Sequence, residues 1–260
     1  MGFLETLSFV YYYFNQKGDQ RVQDWPLMRT PWPSCVITCV YFILVHWGRK
    51  LMKNRPAYNL KSILIPYNIA MMSQSAYIFK EILMSAYHSN FSLTCEPLEK
   101  VFTPQAMRIA SASWWFFISK IVEMCDTVFL ILRKKEEQLT FLHIFHHGTM
   151  VFNQWLACKF IPGGHAFIQG MLNSLIHVVM YGYYFLSALG PKIQKYLWWK
   201  KYITTLQLCQ FFIIIFHNSM GSLINCDFPW WVAHYGSSYS AILFILFYNF
   251  YMKSYKQKRR

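Results

Sequence analysis

The placement of charge along the chain constrains its fold most. Long apolar stretches alternate with short basic segments over 260 residues. A helix crossing the hydrocarbon core of a bilayer needs roughly 20 mainly apolar residues. Stretches of that kind lie near 33–48, 62–86, 109–132, 139–158, 165–189, 202–223 and 231–252. The sequence therefore predicts an all-α, polytopic membrane protein with seven transmembrane helices, organised as one domain over 1–260. Lys80 and Glu81 interrupt the second stretch, and the tight turn Ile161-Pro162-Gly163-Gly164 joins the fourth to the fifth. Only 14% of the residues are charged, against ~25% in soluble domains. The 23 Phe, 18 Tyr and 10 Trp suit lipid-facing bulk and interfacial anchors. No cleavable leader is expected, because the first thirty or so residues mix charges and Pro without a continuous apolar run.

The net charge is +14. The basic residues flank apolar stretches and form no separate hydrophilic domain, so anionic lipid and an anionic substrate are expected rather than nucleic acid. Seventeen Lys and Arg fall on one side of the expected spans and six on the other. By the positive-inside rule the N-terminus is luminal and the C-terminus cytosolic. The sequon Asn90-Phe91-Ser92 then falls in a luminal loop. Lys256 and Lys258 stand five and three residues from the end, a pattern resembling the dilysine retrieval signal of endoplasmic reticulum membrane proteins. Cys95 and Cys226 both fall in luminal loops, where a disulfide is permitted. The other five cysteines lie in or beside spans and read as small hydrophobes.

Ionisable groups inside spans are costly, and their default reading is a functional site. Lys120, Glu123, Asp126 and Thr127 stack on one face of the third span. The bland alternative is a self-neutralising Lys120–Glu123 pair. His143, His146 and His147 share one face of the fourth span, which suits metal binding or acid–base and nucleophilic work. Asn173, His177, Met180, Tyr181 and Tyr184 form a stripe on the fifth, and Thr204, Gln207 and Gln210 one on the sixth. At ~1.5 Å per residue, all four groups sit in the cytosolic half. That shared depth predicts one polar cavity opening to the cytosol, rimmed by Lys and Arg and apolar beyond. An anionic head carrying a long apolar tail fits it.

These motifs resemble, in order, those of the animal very-long-chain fatty acid elongases. The matching elements are Lys120…Glu123…Asp126-Thr127, His143-Ile-Phe-His146-His147, His177-Val-Val-Met180-Tyr181-Gly-Tyr183-Tyr184 and Thr204…Gln207…Gln210. Asp24-Trp-Pro-Leu-Met, Leu132-Arg-Lys-Lys, Gly163-Gly164, Gln194-Lys-Tyr-Leu-Trp-Trp-Lys and Gln138 are similar to the subgroup acting on very long saturated and polyunsaturated chains. The resemblance implies six helices around a narrow tunnel closed toward the lumen. It implies that acyl-CoA and malonyl-CoA condense to 3-oxoacyl-CoA with loss of CO2 and CoA. It also implies endoplasmic reticulum residence, partner reductases and a dehydratase, homo- or hetero-oligomers, and a Cys95–Cys226 bridge.

It further implies catalytic roles for His146 as nucleophile, for His177, His143 and His147, and for Asp126 as a tautomer-fixing carboxylate with Lys120 balancing charge. Asn173, Tyr181, Tyr184, Gln207, Gln210, Thr204, Glu123, Arg133, Lys134 and Lys135 would contact substrate. No metal or cofactor is expected. A di-iron desaturase is the first rival, because His-x-x-His-His is one of its boxes. It would need about eight histidine ligands from several boxes, and only one box is present among the nine histidines. A seven-helix receptor shares the orientation but has no use for a histidine triplet facing the cytosol.

Overall fold

A computed structural model describes residues 3–256. The described residues are all-helical. The helices are α1 (Phe3–Lys17), α2 (Trp32–Met52), α3 (Lys61–His88), α4 (Pro104–Leu132), α5 (Phe141–Phe160), α6 (Phe167–Ala188), the short α7 (Pro191–Gln194), α8 (Lys200–Leu223) and α9 (Trp230–Tyr251). Their ends differ from the expected stretches where caps decide. Thr103 accepts a hydrogen bond from the Ala106 amide and Pro104 occupies the first turn, so α4 begins earlier than 109. Thr140 caps α5 by accepting from the His143 amide at 3.2 Å, which fixes the start of the helix that carries the histidines. Helix α1 was not anticipated. Its aromatic residues Phe9, Tyr11, Tyr12 and Tyr13 are exposed.

Among the described residues, Trp32–Met52 and Lys200–Leu223 are long and apolar enough to cross a membrane by length and composition. Other long helices carry ionisable or amide side chains in their middle turns, which lowers their apolar content. In α4 these are Lys120 and Glu123, both buried.

Helices α3 and α6 pack along one another, as do α8 and α9. Helix α4 contacts α2, α3, α5 and α6. One core group joins α2, α4 and α5 through Tyr41, Val45, Phe117, Val151 and Trp155. A second joins α3, α4 and α6 through Ile78, Ile82, Ile109, Phe116 and Phe167. A Cβ on Gly148 would meet the Phe42 ring at 2.5 Å, so a larger residue there would displace that ring where α2 meets α5. Gly163 and Gly164 have φ of 129° and 56°, the left-handed region that favours glycine. They fold the α5–α6 turn onto Leu98, whose Cα would lie 3.0 Å from a Cβ at Gly164.

The connections gather at two ends. At the basic end, Tyr58 N donates to Leu132 O at 3.0 Å, Lys61 Nζ to Leu189 O at 3.1 Å and Lys134 Nζ to Lys53 O at 3.1 Å, and Arg49 pairs with Glu136 at 2.7 Å. At the opposite end, Cys95 is bonded to Cys226, with the Cα atoms 5.5 Å apart.

Three features of that second end differ from the sequence reading. Lys80 lies within α3 as expected, on its outer face, with its side chain 66% exposed and 3.6 Å from Glu81. Glu81 pairs with Arg108 of α4, which cancels the charge that interrupted the second stretch. Lys159, assigned to a loop, is fully buried: its carbonyl accepts from the Asp19 amide at 2.7 Å and its Nζ lies 3.5 Å from Asn15 Oδ1. Residues 18–31, for which the sequence suggested no structure, form a packed cap. The buried Arg21–Asp19 pair spans 2.8 Å, Arg21 reaches the Ala106 and Pro162 carbonyls, and Trp155 Nε1 donates to Leu27 O at 2.9 Å.

The disulfide closes 131 residues of chain, for which loop entropy gives at most ~5 kcal/mol. Helices that persist on unfolding restrict the chain already, so a smaller gain is expected. Cys95→Ser and Cys226→Ser should each lower stability in detergent by roughly 2–4 kcal/mol, read as a reduced melting midpoint, and non-reducing peptide mapping of the parent should recover the linked pair. Equal midpoints and two free thiols would refute this.

Candidate functional site

The site is built around a carboxylate on α4. Glu123 Oε1 accepts from Lys120 Nζ at 2.8 Å, Ser119 Oγ at 3.3 Å and His177 Nδ1 at 3.2 Å. Lys120 Nζ also donates to Asn173 Oδ1 at 3.1 Å and sits 4.5 Å from the centre of the Phe116 ring. Lys120 and Glu123 are 1% and 2% exposed, which makes every partner matter. A spacing of three residues puts the pair on one helix face. The four-residue step from Asn173 to His177 lets α6 answer with one ligand for each charge. The Lys120–Glu123 pair is therefore no isolated neutralising contact. It is the α4 half of a network shared with α6, in which His177 Nδ1 lies 3.2 Å from the Glu123 carboxylate.

One turn along α4, the second half of the site forms. Thr127 Oγ1 shares a hydrogen bond with His143 Nε2 at 2.9 Å and another with Tyr41 OH at 3.0 Å. The His143 and His147 rings lie 4.3 Å apart, and those of His146 and His147 5.5 Å apart. His143 and His177 are thus each held through one ring nitrogen. His146 Nδ1 is buried with no hydrogen-bond partner. His146 lines the cavity, together with Asn173 and Gln210.

That cavity runs along α5 from His146 to Ile161, on the order of 22 Å at 1.5 Å per residue. Its far end is walled by Ala166, Phe228, Val232 and Ala233, next to the disulfide end. The cavity thus joins the histidine cluster to the apolar side chains near the disulfide end.

Other sequence-selected residues lie elsewhere. Asp126 does not orient an imidazole: its Oδ2 accepts from Tyr181 OH at 2.8 Å, and Tyr67 of α3 is a second phenol beside it. Thr127 and Glu123 hold the histidines instead, because they point into α5 and α6 while Asp126 faces between α3 and α6. Gln207 Nε2 lies 3.7 Å from Met180 Sδ. Thr204 contacts Tyr255 near the basic end. Tyr184 is 40% exposed, with its ring 5.9 Å from Tyr181. Arg133, Lys134 and Lys135 follow the end of α4 in the basic connection to α5. Asn90 lies after α3 in a left-handed conformation. Lys256 ends the described chain, and Lys258 lies outside the described residues.

Sequence reasoning missed Ser119, Tyr41 and Tyr67. Ser119 was legible as the neighbour of Lys120 four residues before Glu123, while Tyr41 and Tyr67 carry no motif and reach the site only through packing. It also missed a second buried pair at the disulfide end. There the His165 and His217 rings stack at 3.8 Å, and His217 Nε2 bonds to Leu93 O at 3.0 Å.

The human protein named very long chain fatty acid elongase 4 is 46% identical over 244 residues, covering 94% of this chain and 77% of its own. Mouse very long chain fatty acid elongase 2 is 42% identical over 240 residues, covering 92% of this chain and 82% of its own. Drosophila melanogaster very long chain fatty acid elongase 7 is 39% identical over 246 residues, covering 94% and 75%. A family model described as the GNS1/SUR4 family matches residues 26–260, the stretch that contains every side chain of the site just built, and the chain is therefore a member of the GNS1/SUR4 family, whose elongases are membrane proteins.

Proposed function

We propose that this protein is a very-long-chain 3-oxoacyl-CoA synthase, the condensing enzyme of fatty acid elongation, acting through an acyl-imidazole on His146. Its relatives' names support the elongase activity. The observation that supports the intermediate is the contrast among the histidines. His146 lines the cavity with Nδ1 unpartnered, while His143 and His177 are tied to Thr127 and Glu123.

The steps balance as follows. A neutral His146 nitrogen attacks the thioester carbonyl, the C–S bond breaks, and CoA leaves as thiolate and takes a proton. Malonyl-CoA then loses CO2, leaving the electron pair as a thioester enolate. The enolate attacks the acyl carbon, the C–N bond breaks, and the departing imidazolate takes a proton from water, which restores neutral His146. His177 and Asn173 on α6 stabilise the developing oxyanion or enolate, with Lys120 holding Asn173 and Glu123 holding His177. His143 and His147 orient the middle ring. Gln210 lines the cavity beside Asn173, Tyr181 holds Asp126 behind it, Gln207, Thr204 and Tyr184 lie between the cavity and the basic end, and Arg133, Lys134 and Lys135 attract the CoA phosphates. The chemistry asks for no metal or cofactor.

The seven long helices, α2 to α6 with α8 and α9, are read as seven spans of a single domain. The last six surround the tunnel, with the basic end in the cytosol and the N-terminus and disulfide end in the lumen. Asn90 is then a luminal glycosylation site. Reductases and a dehydratase complete the cycle, and the enzyme associates with them or with further copies of itself in the endoplasmic reticulum membrane.

Purified protein given acyl-CoA alone should release about one equivalent of CoA per site and gain one acyl mass on the Phe145–His147 peptide. Added labelled malonyl-CoA should then release CO2. His146→Ala should remove all three signals. If CoA appears only with malonyl-CoA present, the intermediate fails while condensation stands. If no CO2 is released with any acyl-CoA, the function itself fails. The retrieval reading is separate: Lys256→Ser with Lys258→Ser should move a visible fraction of the protein beyond the endoplasmic reticulum with specific activity kept, and unchanged localisation would refute it.

A further inference from the structure

Most of the middle of α2 is apolar and faces outward. Val40, Phe42 and Ile43 are 46%, 42% and 56% exposed. Tyr41 among them is 3% exposed, on a helix that lines no part of the cavity. A phenol turned inward needs a partner, because a buried hydroxyl left unsatisfied is costly. Among the described residues the Tyr41 hydroxyl has one, Thr127 Oγ1 at 3.0 Å. Thr127 Oγ1, on a residue 1% exposed, lies in turn 2.9 Å from His143 Nε2. A hydrogen-bonded line therefore runs from α2 through α4 to the histidines of α5.

The protons along that line can be counted. A hydroxyl carries one proton and can also accept. Tyr41 has no second acceptor, so its proton goes to Thr127 Oγ1. The Thr127 proton is then left for His143 Nε2, the other partner of that oxygen. With His143 donating instead, the Thr127 proton would have no acceptor inside the bundle, and buried donors are as a rule satisfied. His143 Nε2 accordingly accepts, and the neutral ring carries its proton on Nδ1. Packing keeps the line in place. A Cβ at Gly148, the residue after His147, would lie 3.0 Å from the Tyr41 ring, so that ring sits against the turn of α5 that bears the motif. The His143 ring lies 4.3 Å from that of His147, which lies 5.5 Å from that of His146.

We infer that Tyr41 is a positioning residue for the condensation: acting through Thr127, it holds His143 as the Nδ1–H imidazole. His143 then has no free lone pair with which to compete with His146 for the acyl carbon, and the nitrogen left unengaged is a donor and not a base. The catalytic consequence rests on the elongase reading, whereas the tautomer rests on the hydrogen-bonded line alone.

Two measurements on the full-length protein test this. The first is nitrogen NMR of protein labelled with 15N-histidine, in which protonated and unprotonated ring nitrogens resonate apart, with His143 identified by the signals lost in His143→Gln. The parent should show His143 with Nδ1 protonated and Nε2 bare, and Tyr41→Phe should move part of the population to the Nε2–H form. The second is acyl-CoA-dependent CO2 release from malonyl-CoA. Tyr41→Phe keeps the ring and its packing, so the melting midpoint should stay near the parent's while kcat falls about 10–100-fold and KM for acyl-CoA stays within about twofold. Thr127→Val breaks the same line, so the double variant should be no more than about twofold slower than Thr127→Val alone. A proton on His143 Nε2 in the parent would overturn the inference, and that measurement holds even if Tyr41→Phe fails to fold. Parental kcat in a folded Tyr41→Phe variant would also overturn it, as would losses that multiply in the double variant. A parent that releases no CO2 with any acyl-CoA would sink the elongase reading instead, while the nitrogen spectrum would still decide the tautomer.

Discussion

A lysine and a glutamate 2.8 Å apart inside the bundle organise everything around them. Withdrawing both charges from water costs several kcal/mol per ion, and their mutual attraction offsets this only when the remaining hydrogen-bonding positions are filled. Asn173, His177 and Ser119 fill them. Two of these come from α6, so the register of α6 against α4 is set by electrostatics as well as by packing. Register then decides which α6 residues face the cavity. The same α4 face supplies Thr127 to His143 one turn on, which places the α5 histidines opposite His177. A network that is expensive to bury thus fixes three helices around one cluster of histidines.

The two ends of the bundle divide the remaining work. The basic end is held by single hydrogen bonds from lysines to helix-terminal carbonyls and by one exposed ion pair. Exposed pairs of that kind contribute about 1 kcal/mol or less, so this end is only lightly tied. The opposite end combines the Cys95–Cys226 bond, the buried Arg21–Asp19 pair, the Trp155–Leu27 hydrogen bond and the His165–His217 stack. The bundle is therefore held firmly at the disulfide end and lightly at the basic end.

Much of this was legible in the sequence because helical spacing states which side chains share a face. Lys120, Glu123, Asp126 and Thr127 declared one surface of α4, and His143, His146 and His147 one surface of α5. Spacing does not state which neighbouring helix that surface meets. Hence Asp126 was assigned to an imidazole when it binds Tyr181, and Tyr67 and Tyr41 went unnoticed. Charge in a connecting segment was equally ambiguous. Lys159 reads as a loop cation, and its burial depends on a cap formed by residues 18–31 that no periodicity announces. Lys80 and Glu81 read as intruders in a span, and only the approach of Arg108 from α4 explains how Glu81 is tolerated.

The claim that Glu123 serves chemistry by holding His177, beyond neutralising Lys120, is tested most directly by a double-mutant cycle. Glu123→Gln, Lys120→Met and the double variant would be compared for melting midpoint in detergent and for acyl-CoA-dependent CO2 release from malonyl-CoA. Removing one charge strands the other, so each single variant should lose about 3–5 kcal/mol of stability. The double variant carries no unpaired charge and should recover most of that loss. Its CO2 release should nonetheless remain depressed by at least ~10–100-fold, the usual cost of losing the group that orients a working histidine. A double variant that regains turnover along with stability would contradict the account and reduce the pair to a structural contact.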